Sequence, residues 1–257
     1  MISKAKIKYL RSLELKKNRS AEGVFVAEGP KVVGDLLQKM PAQLIVATEQ
    51  WPRPDTMNTD TEWCIVTEEE LKKVSFLQHP QQVLAVFKQK TTVGNDLTSL
   101  LHNSLSLALD GVQDPGNLGT IIRIADWFGI DTIFCSEDTA DLYNPKVVQA
   151  TMGSIARVNV VYTDLTSLFK SLPPDYPIYG TLLTGENIYR QPLSSHGLIV
   201  MGNEGKGLSP AVRELVNRQL LIPPYPQDSE TAESLNVAIA TAVVCAEFRR
   251  QQTLQKG

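Results

Sequence analysis

Cysteine, histidine and long apolar runs are all scarce in this 257-residue sequence. Three cysteines, Cys64, Cys135 and Cys245, lie far apart and form no CxxC pair. That excludes a disulfide framework and points to a reducing, cytoplasmic setting. His79, His102 and His196 are scattered without metal-ligand spacing, and none backs a serine nucleophile. Metal centres and serine hydrolases both lose support. Met1–Leu15 mixes lysines with single apolar residues, so no signal pattern is visible. The longest apolar stretch, Val237–Ala246, contains Thr241 and falls well short of the roughly 18 residues a membrane span needs. The expectation is a soluble protein with no membrane and no metal. A dominant charge sign is missing too: 25 basic against 28 acidic side chains leave a net charge of −3, which excludes a wholly basic nucleic-acid coat. With 42% hydrophobic residues the chain can fill a core, and its length suits one large domain or two smaller ones.

What is present is unevenly placed. Residues 1–19 hold Lys4, Lys6, Lys8, Arg11, Lys16, Lys17 and Arg19 against Glu14 alone, a charge of +6 that leaves −9 for residues 20–257. A basic block on an acidic chain suggests an anionic polymer as partner. The alternative is a solvated helix whose other face is pinned by Ile2, Ile7, Leu10 and Leu13. Both readings are open at this point.

The first 90 residues read as a small α/β unit. Val24–Ala27 is a strand, Pro30–Met40 has helical spacing, and Leu44–Thr48, Trp63–Val66 and Gln82–Phe87 are further apolar runs. Thr67 and Glu70 stand in capping-box register. Lys88–Asn103 is polar and turn-prone, which places a linker at 93–104 between domains 1–92 and 105–257. The second domain alternates strands (Leu105–Leu109, Thr132–Cys135, Val158–Val161, Ile178–Leu183, Leu198–Met201, Leu220–Ile222) with helices (Leu118–Phe128, Lys146–Met152, Leu165–Ser171, Pro210–Asn217, and about Ser234 to Arg250). Continuously apolar strands alternating with helices imply a mostly parallel sheet covered on both faces. Such sheets bind ligands beyond the carboxyl ends of their strands.

Three loops carry the chemistry. The first, Asp110–Thr120, runs DGVQDPGNLGT into Ile121-Ile122-Arg123, where helix-start N–H groups could hold an anion. Read blandly, it is a Pro-Gly turn with Asn117 as the helix cap. Arg123 lies between Ile122 and Ile124, near the ligand end of that helix. The second, Gly202–Leu208 (GNEGKGL), follows a strand directly. It is no Walker A loop, because Lys206 is followed by Gly207. The third joins Ile222-Pro223-Pro224 to Glu233-Ser234-Leu235-Asn236-Val237, where Ser234 and Asn236 sit at a helix start. GxGxxG is absent, so a dinucleotide-binding dehydrogenase has nothing to stand on.

Taken together, NLGTIIR, GNEGKGL and IP…SLNV resemble the three signature motifs of the SpoU (TrmH) family of RNA methyltransferases, in the SPOUT superfamily. The resemblance covers Leu105–Arg250. Residues 1–90, including KNRSAEGVFVAEGPKVV, resemble the RNA-binding domain fused in front of that unit, itself similar to a kink-turn-binding ribosomal-protein fold. The resemblance implies an α/β domain with a C-terminal trefoil knot, a homodimer, S-adenosyl-L-methionine as cofactor and RNA as substrate. It implies that Gly202, Asn203, Ile222, Leu235 and Leu183 line the cofactor site. Asn117, Arg123, Glu204, Ser234 and Asn236 match the family's functional polar positions, and Lys16, Lys17, Arg19 and Arg11 are the expected RNA contacts. One departure stands out: PYPQDSETA, Pro224–Ala232, is longer than the usual link and lacks its glycine.

The implied reaction methylates a ribose 2′-hydroxyl in rRNA or tRNA. The hydroxyl is a weak nucleophile, so the site must orient it and stabilise developing alkoxide charge. A guanidinium stays protonated, which casts Arg123 as a phosphate clamp rather than a free base. Ser234 and Asn236 would position the ribose, Asn117 would orient Arg123 or the substrate, and Glu204 would brace the loop. The rival is a non-catalytic RNA-binding module that retains the fold.

Overall fold

The computed structural model describes residues 2–53, 60–90, 97–101, 104–226 and 232–255. These fall into two compact units, Met1–Thr91 with Asp141–Ala156, and Thr92–Ala140 with Arg157–Gly257. Half of the expected linker 93–104 and the middle of Pro224–Ala232 lie outside the described residues.

In the first unit the basic block forms two helices, α1 (Lys4–Ser12) and α2 (Lys16–Glu22). Ile2, Leu10 and Leu13 are buried and Ile7 is half-buried, so the apolar spacing does pin one face. Gly23 ends α2 in the left-handed conformation and releases the chain into β1 (Val24–Glu28). There follow α3 (Pro30–Leu37), β2 (Ala42–Ala47), β3 (Glu62–Ile65), α4 (Glu68–Val74) and β4 (Val83–Lys88). The Thr67–Glu70 capping box that opens α4 is formed. The sheet order is β1-β4-β2-β3, with β4 antiparallel to both its neighbours and β2 parallel to β3. Strand alternation sends Val24, Val26, Leu44, Val46, Leu84 and Val86 into one core with Leu10, Leu13, Leu71 and Val74.

In the second unit come β5 (Leu105–Asp110), α5 (Pro115–Trp127) and β6 (Thr132–Cys135). The chain then gives α6 (Pro145–Ala150) to the first unit. It returns for β7 (Asn159–Tyr162), α7 (Leu165–Lys170), β8 (Ile178–Asn187), β9 (Gly197–Gly202), α8 (Pro210–Arg213), β10 (Arg218–Leu221) and α9 (Val237–Gln255). The six strands are parallel throughout, in the order β10-β8-β9-β5-β6-β7. Ala108, Phe134, Val161, Leu198 and Val200 pack with α7 and α8 residues in one core. Against α9, Phe248 meets Tyr179 edge-on at 4.9 Å between ring centroids.

Several boundaries differ from the sequence expectation: α3 ends at Leu37 rather than Met40, α8 at Arg213 rather than Asn217, and β8 runs on to Asn187. Helix α5 starts at Pro115 rather than Leu118, because Asp114 accepts from the Asn117 N–H as N-cap and Pro115 takes the first position, where its missing N–H costs nothing. Helix α9 starts at Val237, not Ser234, and runs on to Gln255. The segment Asp141–Ala156, expected in the second domain, packs in the first unit, where Tyr143 stacks on Phe25 at 5.0 Å. No helix among the described residues is long and apolar enough to cross a membrane, and none of them form a metal-ligand cluster.

Candidate functional site

Strand order reverses between β5 and β9, and it is beyond the carboxyl ends of strands at such a switch point that open α/β sheets bind ligands. The first and second sequence loops meet here, with Asp110 opposite Gly202 in register. Glu204 reaches across and accepts from the Gln113 N–H at 3.3 Å, the Asp114 N–H at 3.1 Å and Asn117 Nδ2 at 3.0 Å. Burial alone would push its carboxyl up. The bonds from Asn117 and from the backbone outweigh that and hold it below the usual carboxylate range. A carboxylate so engaged acts as a brace, not as a base.

Asn117 also links the third loop. Its Oδ1 accepts from Asn236 Nδ2 at 2.9 Å, while Asn236 Oδ1 caps α9 by accepting from the Ala238 N–H at 2.9 Å and the Ile239 N–H at 3.3 Å. A chain Glu204–Asn117–Asn236 therefore ties together the segments that follow β5, β9 and β10. Asn236, not Ser234, is the helix cap. Ser234 is exposed and has no hydrogen bond among the described residues, which leaves its hydroxyl available. Arg123 is exposed two turns into α5 and pairs with no described residue. Its guanidinium is free to meet an anion.

Asn203 is spent internally. Its Nδ2 donates to the Gly111 carbonyl at 2.6 Å, and its Oδ1 accepts from the Gly205 and Lys206 N–H groups at 3.0 Å each. Its backbone closes a bridge to Gly207. Of the other residues expected at the cofactor, Gly202 ends β9 under that bridge, where an added Cβ would sit 2.3 Å from the Gly207 carbonyl carbon. Ile222 follows β10 and is half-buried. Leu235 and Leu183 are 51% and 70% exposed. Leu183 lies in a five-residue excursion of β8, between Gly180 opposite Gln219 and Glu186 opposite Leu220. Gly185 permits that excursion, since a Cβ there would lie 2.6 Å from the Leu220 backbone. Leu183 and Leu235 thus offer open apolar surface. Asp114, Gln113 and Gly185 are absent from the residues the sequence singles out. The Asp-Pro pair is a legible sign for Asp114, whereas Gln113 acts through its backbone and leaves none.

The expected RNA contacts separate. Lys16 and Lys17 are exposed, as are Lys4 and Lys8. Arg11 is half-committed: it donates to the Ser75 carbonyl at 2.6 Å and lies 5.3 Å over the Phe76 ring. Arg19 is 2% exposed, donating to the Leu13 and Glu14 carbonyls at 2.8 and 2.6 Å and to Asp141 at 2.6 Å. It is a structural cation, and the expectation of an RNA contact there is withdrawn.

Among known proteins, the SpoU rRNA Methylase family matches residues 104–246, and the MRM3-like substrate binding domain matches residues 4–85. The 23S rRNA (guanosine(2553)-2′-O)-methyltransferase RlmP of Bacillus subtilis is 33% identical over 248 residues, covering 95% of this chain and 96% of its own. A solved structure of a TrmH-family protein from Porphyromonas gingivalis has a TM-score of 0.87 at 39% identity, covering 98% of this chain and 99% of that one. The AdoMet-bound rRNA methyltransferase from Sinorhizobium meliloti has a TM-score of 0.79 at 26% identity, covering 97% and 96%.

Proposed function

The chain belongs to the SpoU rRNA methylase family, and from that premise we propose that it methylates the 2′-hydroxyl of a guanosine in large-subunit rRNA. At the coarser level it is an S-adenosylmethionine-dependent RNA methyltransferase acting on ribose. The guanosine and the rRNA are carried by the relative that is 33% identical along nearly the whole chain. S-adenosylmethionine supplies an electrophilic methyl group when bound, and Gly202, Ile222, Leu235 and Leu183 are the residues proposed to hold it. Asn203 serves that site by shaping the Gly202–Leu208 turn.

The unpaired Arg123 guanidinium is the single observation that carries the catalytic assignment. It binds the phosphate beside the target ribose and stabilises charge that develops on the 2′-oxygen. Ser234 positions the ribose, helped by Asn236, while the Glu204–Asn117–Asn236 chain keeps the three loops in one arrangement, which reduces the entropy lost on reaching the reactive geometry. The first unit captures RNA through Lys16, Lys17 and Arg11, a reading supported by its match to a substrate binding domain.

Three finer features belong to the same proposal. The chain forms a trefoil knot, since β10 lies at the sheet edge yet the segment after it returns to Asn117, beside central β5. It acts as a homodimer, supported by Trp127 and Ile239, 85% and 54% exposed on the paired helices α5 and α9. It works in the cytoplasm, where free Cys64, Cys135 and Cys245 stay reduced.

The decisive experiment is methyl transfer to unmodified 23S rRNA transcript, with the product mapped by ribose-methylation sequencing. Arg123→Ala should lower the rate about a hundred- to thousandfold. S-adenosylmethionine binding and the melting temperature should be unchanged, because Arg123 has no partner among the described residues. Near-normal transfer by that variant would refute the assignment.

A further inference from the structure

Within the first unit, strands β1, β2 and β3 run in the same direction and end at one edge of the sheet, where α3 and α4 begin. A cleft of about 440 Å³ opens there, lined by Pro30, Thr48, Gln50, Glu68, Leu71, Lys72, Pro80, Gln81 and Gln82. Its position obeys the rule that open α/β sheets bind ligands outside the carboxyl ends of their strands.

Three observations point to a ligand rather than a packing fault. The lining couples apolar surfaces, from Pro30, Leu71 and Pro80, to a run of neutral hydrogen-bonding groups from Thr48, Gln50, Gln81 and Gln82. Thr48 is 5% exposed, yet its hydroxyl has no hydrogen-bond partner among the described residues. A buried hydroxyl left unpaired is costly unless something completes it. Gln82, without being glycine, is held at φ +52° where its carbonyl accepts from the Thr48 N–H at 2.8 Å. Such a conformation persists only where the surroundings hold it, and it is commoner at ligand-binding sites. The loop that carries Pro80–Gln82 is itself anchored at its start, through the Phe76 N–H and the Ser75 hydroxyl, which both donate to buried Glu28.

We propose that this cleft seats one unpaired nucleobase of the substrate RNA. A flat ring fits between the apolar surfaces, and side-chain amides can read its polar edge, which is how single-stranded RNA is distinguished. Glu68, whose Oε1 accepts from Gln50 Nε2 at 3.4 Å, makes the choice sharper through its other oxygen. A carboxylate on the rim disfavours a phosphate but accepts from an exocyclic amino group, so the seat selects an amino-bearing base over uracil. Lys72, one turn along α4, is placed to meet the neighbouring backbone phosphate. The cleft thus reads one base at the capture unit, separately from the nucleotide that is methylated, and this inference rests on the RNA-methyltransferase reading.

The experiment uses the full chain and unmodified 23S rRNA transcript. Affinity is measured by filter binding, and each base is probed chemically with and without protein. Gln50→Ala combined with Glu68→Gln changes exposed side chains only, so the fold is retained, with the melting temperature and S-adenosylmethionine affinity as controls. The expected result is a loss of RNA affinity between about tenfold and a hundredfold, together with loss of protection at one amino-bearing base that is not the methylated nucleotide. If the double variant keeps wild-type affinity and the full protection pattern, the cleft reads no base. If affinity falls with no change at any single base, the cleft is a backbone contact and the proposal also fails. If the wild-type protein itself does not bind the transcript, both this inference and the RNA-methyltransferase reading fall.

Discussion

The buried ion pair between Arg19 and Asp141 gives the sharpest quantitative test of the fold. Their side chains are 2% and 19% exposed, and the sequence separates them by 122 positions. Asp141→Asn keeps shape and volume but removes the countercharge from a guanidinium that stays charged. Breaking a buried pair from one side costs about 3–5 kcal/mol. The lower end applies here, because Arg19 keeps its bonds to the Leu13 and Glu14 carbonyls. With a urea slope of about 2 kcal/mol per molar, the midpoint of the first unit should fall by about 1.5 M. Tryptophan fluorescence can follow it, since stacked Trp51 and Trp63 lie in that unit. Glu14→Gln serves as the comparison: its carboxylate is 57% exposed and pairs with Arg11 at 3.4 Å. Exposed pairs contribute at most about 1 kcal/mol, so that midpoint should move by less than about 0.5 M. If the two variants shift alike, Arg19 is not a buried structural cation, and the reason for removing it from the RNA contacts fails.

Replacing Lys4, Lys8, Lys16 and Lys17 together with glutamine should weaken RNA binding and flatten its salt dependence. The log–log slope should fall by up to about 0.9 for each phosphate that the variant no longer neutralises, measured by titration at several salt concentrations. Deleting residues 1–19 would confuse the matter, because Leu10, Leu13 and Arg19 would leave the core with the charge. Glu204→Gln tests the brace. The wild-type carboxyl lies below its ordinary 4.5, so its contribution is whole above that pH and is lost as pH falls through the lowered value. A pH series of melting temperatures should therefore fall more steeply toward acid in the wild type than in the variant, whose remaining decline comes from other lowered carboxyls such as Asp164. Gly202→Ala should abolish S-adenosylmethionine binding in a calorimetric titration, since the new Cβ would collide with the Gly207 backbone at 2.3 Å. Tight cofactor binding by that variant would show that the turn is not needed in this form.

Local order in this protein is written along the chain. Continuous apolar runs such as Leu105–Leu109 and Leu198–Met201 specified buried parallel strands, because only a sheet covered on both faces hides every side chain. The Thr67–Glu70 box specified a helix start through nearest-neighbour hydrogen bonding, whereas the start of α5, read from apolar spacing with Asn117 as cap, falls three residues late because the cap is Asp114. The three polar loops were legible as one site only through their joint resemblance to the SpoU family's signature motifs, which no single loop would have conveyed. What the tertiary structure alone decided is which charges remain available. Arg19 and Lys16 are equivalent in a sequence, yet one is sealed against Asp141 and the other faces water. The lending of Asp141–Ala156 to the first unit was likewise invisible, since a connection between β6 and β7 carries no local mark of the core it will join. The Asn203 side chain clasps its own turn, bonding the Gly111 carbonyl and the Gly205 N–H, which nothing local in the sequence announces. Each of these outcomes depends on contacts between residues far apart in the chain, and pattern along the chain records only neighbours.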